Sequence, residues 1–137
     1  MTELTIRRVI AAPVVRLFDA WTRPDLLQQW WGPAGVTCIA AEIDLRPGGA
    51  YRIGNQLPDG SVTWISGEFE QIEAPHRLVY SWRIDDEPVS RVTVSFAALA
   101  EGTEVTVHHE RVHSIAARDG HERGWLGCLD GLARYLE

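Results

Sequence analysis

The chain has 137 residues, of which 45% are hydrophobic and 23% are charged; these values are typical of a folded domain and exclude a disordered segment. Its formal net charge is −6, and the absence of a basic cluster argues against nucleic acid or an anionic membrane surface as a partner. No apolar run is long enough to span a bilayer, and the first residues lack the pattern of a signal peptide. We therefore expect one cytoplasmic domain covering residues 1–137.

The two cysteines, Cys38 and Cys128, are far apart and do not have a metal-binding spacing. In a reducing compartment such residues are free, buried and small hydrophobic groups, so we predict neither a disulfide nor a metal site. The sequence contains no phosphate-binding loop or nucleophile elbow, and we predict no cofactor. The six tryptophans are many for this length, and rings of this size suit either a core or a ligand pocket.

The first quarter of the chain predicts a strand followed by two short helices. Residues 4–10 alternate loosely, as a strand does, and Pro13 is well suited to the first turn of a helix. The apolar residues that follow recur at helical spacing, namely Val14, Leu17, Phe18 and Trp21. A second short helix is predicted from Pro24 to the residue before Gly32.

The middle of the chain predicts an antiparallel sheet, because the hydrophobic period changes to two and the segments are separated by turn residues. Short connections make neighbouring strands antiparallel, and with the first strand the sheet has about seven. A β-bulge is expected within residues 68–72. The predicted strands cover residues 36–45, 49–56, 62–73, 77–84, 90–98 and 103–112.

The last segment predicts a long helix with one apolar face. Asp119, with Glu122 three residues later, resembles a capping arrangement, so we expect the helix to begin there. The apolar face should cover the apolar face of the sheet, giving an α+β fold. Its members are His121, Trp125, Cys128, Leu129, Leu132 and Leu136.

Several local motifs occur in this order along the chain: Trp30-Trp31-Gly32-Pro33, the segment from Asp44 to Tyr51 (DLRPGGAY), Gly67-Glu68-Phe69, the segment from Arg77 to Trp82 (RLVYSW), the segment from Thr103 to Val107 (TEVTV) and Gly124-Trp125. Together they resemble the family of proteins similar to the activator of heat-shock-protein ATPase, within the START-like (SRPBCC) superfamily. The resemblance covers nearly the whole chain. It implies a helix-grip fold, in which a curved antiparallel sheet wraps a long C-terminal helix around a deep cavity. It does not imply one activity, because members include lipid carriers, aromatases and co-chaperone domains.

The aromatic residues on predicted strands and helices are candidates for lining this cavity. Each one can also be explained by ordinary packing, but a core with so many large rings seldom closes without gaps. His109 continues the inward parity of Val105 and Val107, so it is expected to be either a buried, hydrogen-bonded side chain or a polar anchor for a ligand. The candidate ligand-binding residues are Trp30, Tyr51, Trp64, Tyr80, Trp82, His109 and Trp125.

The same histidine belongs to a match to the zinc-protease pattern HExxH. That motif works on a helix, where its two histidines share one face. Here the segment enters as a strand, so the two side chains would lie about 13 Å apart. Such a separation cannot bind one zinc ion, and we attribute the match to chance. The match is His109-Glu110-Arg111-Val112-His113.

Three glycines, Gly124, Gly127 and Gly131, occupy the predicted C-terminal helix, where each costs about 0.5–1 kcal/mol relative to alanine. Close approach of a ligand or of another backbone would explain them, as would packing against a partner subunit. By contrast, Asp44 and Arg46 are expected either to pair with each other or to cap the turn before Gly48 and Gly49.

Three functions therefore remain open. The first is binding of a small hydrophobic or aromatic molecule in the cavity. The second is catalysis in the same cavity, of the cyclase, dehydratase or hydrolase type, with His109 as general acid or base and Tyr51 or Tyr80 as an assisting group. The third, implied only by the resemblance, is a chaperone-partner module that uses the outer surface. A homodimer is also compatible with the sequence.

Overall fold

The computed structural model, which describes residues 1–137, contains a seven-stranded antiparallel sheet. Buried and more exposed residues alternate along its central strands, as the period of two in the sequence indicates. In Ser90–Leu99, for example, Val92, Val94 and Phe96 are buried while the residues between them are more exposed. The strands are β1 (Thr2–Ile10), β2 (Thr37–Ile43), β3 (Ala50–Gln56), β4 (Val62–Glu73), β5 (Arg77–Ile84), β6 (Ser90–Leu99) and β7 (Gly102–Val112).

The order of strands across the sheet is β1-β7-β6-β5-β4-β3-β2, so β1 and β2 form the two edges. Two short helices, α1 (Val14–Thr22) and α2 (Pro24–Trp30), connect these edges, and α3 (Ile115–Leu136) follows β7. The predicted α+β helix-grip fold is confirmed. The predicted strand limits agree closely, although β2 ends at Ile43 instead of residue 45.

The expected β-bulge is confirmed, since the register of β4 on β5 shifts between Phe69 and Gln71. The predicted pair in the β2–β3 turn also forms, with the Arg46 Nε atom 2.9 Å from a carboxylate oxygen of Asp44. A bulge of this kind bends the strand that carries it, and the ion pair lies within the turn that joins β2 to β3.

The predicted start of the C-terminal helix is wrong. The helix begins at Ile115, and Ser114 caps it by accepting a hydrogen bond from the backbone N–H of Ala117 at 3.0 Å. Asp119 instead pairs with Arg118 on the helix surface. Only His113 separates this serine from the end of β7, so strand and helix are joined by a very short connection.

The core lies between the concave face of the sheet and the three helices. On α3, the buried residues include Trp125, Leu129 and Leu132, which form the apolar face predicted for this helix. None of the helices is long and apolar enough to cross a membrane.

Candidate functional site

A cavity of about 180 Å³ lies between the sheet and α3, and we call it the α3 cavity. Its walls are mostly apolar and come from the α2–β2 loop, strands β3, β4 and β5, and the first half of α3. Several of its wall residues, including Leu57, Ile84 and His121, are only partly buried, so the cavity lies close to solvent at that end. The lining residues are Trp31, Pro33, Val36, Asn55, Leu57, Ile65, Trp82, Ile84, Gly120, His121, Gly124, Trp125 and Cys128.

Three buried side-chain polar atoms have no hydrogen-bond partner within the protein, and all three belong to residues that line this cavity. They are the indole Nε1 atoms of Trp31 and Trp82 and the side-chain oxygen of Asn55. A buried polar group without a partner costs about 1–3 kcal/mol, and native proteins contain few of them. This cavity is lined by all three residues, so a polar molecule inside it would have these side chains as neighbours.

His109 is fully buried and lines neither the α3 cavity nor a second, smaller cavity that is described below. The Trp125 indole Nε1–H donates to its Nδ1 at 3.1 Å. An indole nitrogen can only donate, so Nδ1 must be the unprotonated acceptor and the proton of the neutral ring must be on Nε2. That Nε2–H in turn donates to the Ser90 hydroxyl oxygen at 2.7 Å.

Both ring nitrogens of His109 are thus occupied, and its role in the structure is to orient Trp125. Burial, with smaller contributions from His121 and His108, lowers its pKa to about 3. A neutral histidine with no free lone pair cannot accept a proton from a bound substrate without first breaking its bond to Trp125.

His121 is the one titratable side chain, apart from the buried thiol of Cys128, that lines the α3 cavity. Its ring stacks on that of His109 with centroids 4.6 Å apart and an interplanar angle of 12°. Burial lowers its pKa, an effect that the Glu87 carboxylate partly opposes. The lining contains no lysine, arginine, aspartate or glutamate, so the walls carry no fixed charge when His121 is neutral.

A second and smaller cavity of about 20 Å³ lies beyond Trp31 and Trp82, which line both cavities. The centroids of these two rings are 6.2 Å apart. Tyr51 and Tyr80 line the smaller cavity, and burial raises the pKa of both phenols. The two tryptophans therefore form an aromatic partition across the interior.

The seven sequence-predicted site residues are thus divided among several places. Trp82 and Trp125 line the α3 cavity, whereas Tyr51 and Tyr80 line the smaller one. Trp30 packs between α1 and α2, where its Nε1–H donates to the carbonyl oxygen of Ala20 at 2.9 Å.

Trp64 requires a correction, because the structure places it on the outer face of the sheet. It pairs across the strands with Gly54, whereas Ile53 and Ile65 face inward. The Arg52 guanidinium carbon lies 3.9 Å from its ring centroid, a cation–π contact. A bulkier residue than Gly54 would collide with this ring, since an added Cβ would lie 2.9 Å from it.

The glycines of α3 have two different explanations. At Gly127 an added Cβ would lie 2.7 Å from Pro33 Cβ, and at Gly131 it would lie 2.6 Å from the carbonyl oxygen of Trp30. These two glycines let the α2–β2 region approach the helix backbone. At Gly124, which lines the α3 cavity, an added Cβ would meet nothing within 4 Å, so this glycine leaves the cavity open.

Among the residues of the cavity wall that the sequence did not identify as site residues are three with polar side-chain atoms: Trp31, Asn55 and His121. Asn55 follows Tyr51 and Ile53 at a period of two on β3, so its inward parity could have identified it. His121 was placed on the apolar face of α3 but not in the site. For Trp31, which lies just after α2 ends, no periodic signal was available.

The HExxH segment has the geometry of a strand, as predicted. His109 lies in β7 and is buried, whereas His113 lies beyond the strand with 38% of its side chain exposed. No group of three or more histidine, cysteine, aspartate or glutamate side chains is arranged to hold a metal ion. Cys38 and Cys128 are both buried and unpaired.

A curved antiparallel sheet that grips a C-terminal helix, with a cavity between them, defines the helix-grip class of START-like proteins. The sequence model of the activator of Hsp90 ATPase homolog 1-like protein family matches residues 11–137, and the chain belongs to this family. A search of curated proteins finds no significant match.

Solved structures support the same assignment. A protein from Chromobacterium violaceum is 27% identical, with a TM-score of 0.91 over 98% of this chain and 96% of that one. An AHSA1-like protein from Aeromonas hydrophila is 28% identical, with a TM-score of 0.80 over 98% and 91% of the two chains. An AHSA1 protein from Silicibacter pomeroyi, 24% identical with a TM-score of 0.89 over 98% and 97%, is similar in fold.

Proposed function

We propose that this protein binds a small apolar or aromatic molecule in the α3 cavity. The observation that carries the proposal is the set of three unpaired buried polar atoms, on Trp31, Trp82 and Asn55, around a mostly apolar space. Ligand sites in proteins have this composition, with apolar walls and a few placed polar groups.

The volume of the α3 cavity limits the size of the ligand. A protein cavity of about 150 Å³ can hold a benzene molecule, and the α3 cavity measures about 180 Å³. Drug-sized ligands occupy sites of about 300–1,000 Å³. The cavity therefore suits a molecule with a single ring and a small substituent, unless Trp31 and Trp82 move apart and join it to the smaller cavity.

Binding is better supported than catalysis through His109. Both nitrogens of that ring are bonded within the protein, and its pKa of about 3 keeps it neutral at pH 7. General acid–base catalysis requires a group that can exchange a proton with the substrate near the working pH. The chaperone-partner function that the family name suggests would use the outer surface, so binding in the cavity does not exclude it.

The test is a thermal unfolding screen against single-ring aromatic compounds, with tryptophan fluorescence to follow binding at constant temperature. A ligand that binds only the folded state raises its stability by about 2.7 kcal/mol at a concentration 100 times its Kd. We expect some members of the panel to raise the Tm in a saturable manner and to change the emission of the cavity tryptophans.

Two variants provide the controls. Gly124→Leu should fill the α3 cavity, because the position of its Cβ is open, and should abolish the ligand-induced shift while remaining folded. Trp64→Phe alters the outer face of the sheet and should leave the shift unchanged. The proposal fails if no compound stabilises the protein, or if Gly124→Leu responds as the wild type does.

A further inference from the structure

The unpaired groups around the α3 cavity also restrict the chemistry of its ligand. Two of them are indole N–H donors, on Trp31 and Trp82, and both rings line the cavity. A donor without a partner is satisfied only by an acceptor, so a hydrocarbon would leave both groups unpaired on binding. A ligand with a hydrogen-bond acceptor would not.

One carbonyl oxygen is sufficient for two donors, because it has two lone pairs. The centroids of the Trp31 and Trp82 rings are 6.2 Å apart and both rings line the cavity, so one ligand can contact both of them. Trp125 has no donor to offer, since its N–H is already bonded to His109. The unpaired oxygen of Asn55 supplies an acceptor for a hydroxyl group elsewhere on the ligand.

The walls of the cavity also argue against a charged ligand. A charge taken out of water is costly unless an opposite charge lies beside it. The lining contains no acidic side chain and no lysine or arginine. His121 is neutral at pH 7, because burial lowers its pKa, His113 acts in the same direction, and the Glu87 carboxylate opposes this shift only in part.

From these observations, and resting on the proposed function, we propose that the α3 cavity selects uncharged aromatic carbonyl compounds, whose carbonyl oxygen accepts hydrogen bonds from the indole N–H groups of Trp31 and Trp82. The aromatic ring of the ligand would occupy the space that Gly120 and Gly124 leave open beside α3. Gly124 then has a direct role in ligand selection, because any side chain there reduces the volume for the ring.

The experiment compares three compounds of nearly the same shape by isothermal titration calorimetry at pH 7. Acetophenone presents an uncharged carbonyl, isopropylbenzene replaces it with a hydrocarbon branch, and benzoate replaces it with a carboxylate. We expect acetophenone to bind about 10-fold or more tightly than isopropylbenzene, because only acetophenone satisfies the buried donors. Benzoate should bind more weakly than acetophenone.

The matched variants are Trp31→Phe and Trp82→Phe, which keep an aromatic ring and remove the N–H group. Each should weaken acetophenone binding about 5-fold or more and should change isopropylbenzene binding by no more than about 2-fold. Trp64→Phe removes an indole from the outer face and should change neither affinity. If a cavity variant loses cooperative thermal unfolding, the comparison of the three compounds on the wild-type protein decides alone.

The outcomes separate the two proposals. Equal affinity for acetophenone and isopropylbenzene would overturn the carbonyl preference and leave the binding function standing. Preference for benzoate would overturn it as well, since the cavity would then accept an anion. If none of the three compounds binds, the carbonyl proposal fails, and the wider thermal screen of the proposed function then decides whether the cavity binds anything.

Discussion

At the scale of single residues, His109 should contribute to the pH dependence of stability. Its pKa is near 6.5 in the unfolded chain and about 3 in the folded protein. Below pH 6.5 the unfolded state therefore binds a proton that the folded state does not. The contribution of His109 to the free energy of unfolding is complete above pH 6.5. It falls by about 1.4 kcal/mol for each pH unit as the pH decreases toward 3.

The corresponding variant is His109→Gln, which cannot be protonated in this range. We expect its free energy of unfolding to fall less steeply than that of the wild type between pH 6.5 and about 5, as measured by urea denaturation. Some slope should remain, because burial lowers the pKa of His121 in the same direction. Identical slopes for the two proteins would mean that His109 is charged, or already titrates normally, in the folded state.

The position of His109 could be predicted from the sequence, but its bonding could not. The alternation of Val105 and Val107 on β7 indicated correctly that it points inward. Its two partners, Ser90 and Trp125, are 19 and 16 residues away in the chain and lie on different elements. No local pattern indicates which side chains from separate elements will meet, so the choice between an anchor and a bonded core residue required the structure.

At the scale of elements, the glycines of α3 should respond differently to alanine. Gly124→Ala should stabilise the protein by about 0.5–1 kcal/mol, because alanine favours the helix and its Cβ meets no other atom within 4 Å. Gly127→Ala and Gly131→Ala should destabilise it by about 1–3 kcal/mol, since their Cβ atoms would collide with Pro33 and with the backbone of Trp30.

Urea denaturation measures the free energy of unfolding of the three variants. Because all three carry the same substitution in the same helix, a difference between them reflects the surroundings of each glycine. Similar changes in stability at all three positions would contradict the packing described for α3. If Gly124→Ala alone stabilises the protein and also weakens ligand binding, then the wild-type glycine preserves cavity volume at the expense of helix stability.

A second prediction at this scale concerns the start of α3. Ser114→Ala should destabilise the protein by about 1 kcal/mol, because it removes the side-chain acceptor for the Ala117 N–H. Asp119→Ala, at the position that the sequence pattern suggested, should change stability by less than about 0.5 kcal/mol, since Asp119 is exposed. A larger effect at Asp119 than at Ser114 in thermal or urea unfolding would contradict this assignment.

The limits of the strands could be predicted from the sequence more accurately than the residue at which α3 begins. Their limits are marked by turn residues such as Pro58-Asp59-Gly60, whose backbone requirements are local. The start of α3 is set by Ser114, two residues after the end of β7, where a single capping residue competes with the similar signal from Asp119 and Glu122. Local chemistry allows both, and in the structure the residue that caps the helix is Ser114.

At the scale of the whole molecule, the helix-grip fold could be predicted from the sequence, and the division of its interior could not. Two cavities separated by Trp31 and Trp82 arise from the fit between helices and sheet, which depends on rings from distant parts of the chain. The outward position of Trp64 follows from the cross-strand pairing of β3 and β4. From the sequence, its place on a predicted strand groups this residue with the interior aromatic residues.

The most direct test of the central claim is a titration followed by the indole N–H signals in a ¹⁵N–¹H correlation spectrum, where each of the six tryptophans gives one signal. During titration with single-ring aromatic compounds, acetophenone first, we predict saturable shifts of the Trp31 and Trp82 signals. Those of Trp30, bonded to Ala20, and Trp64, on the outer face, should remain fixed. If the Trp31 and Trp82 signals stay unchanged with every compound, the α3 cavity is not a binding site for molecules of this size.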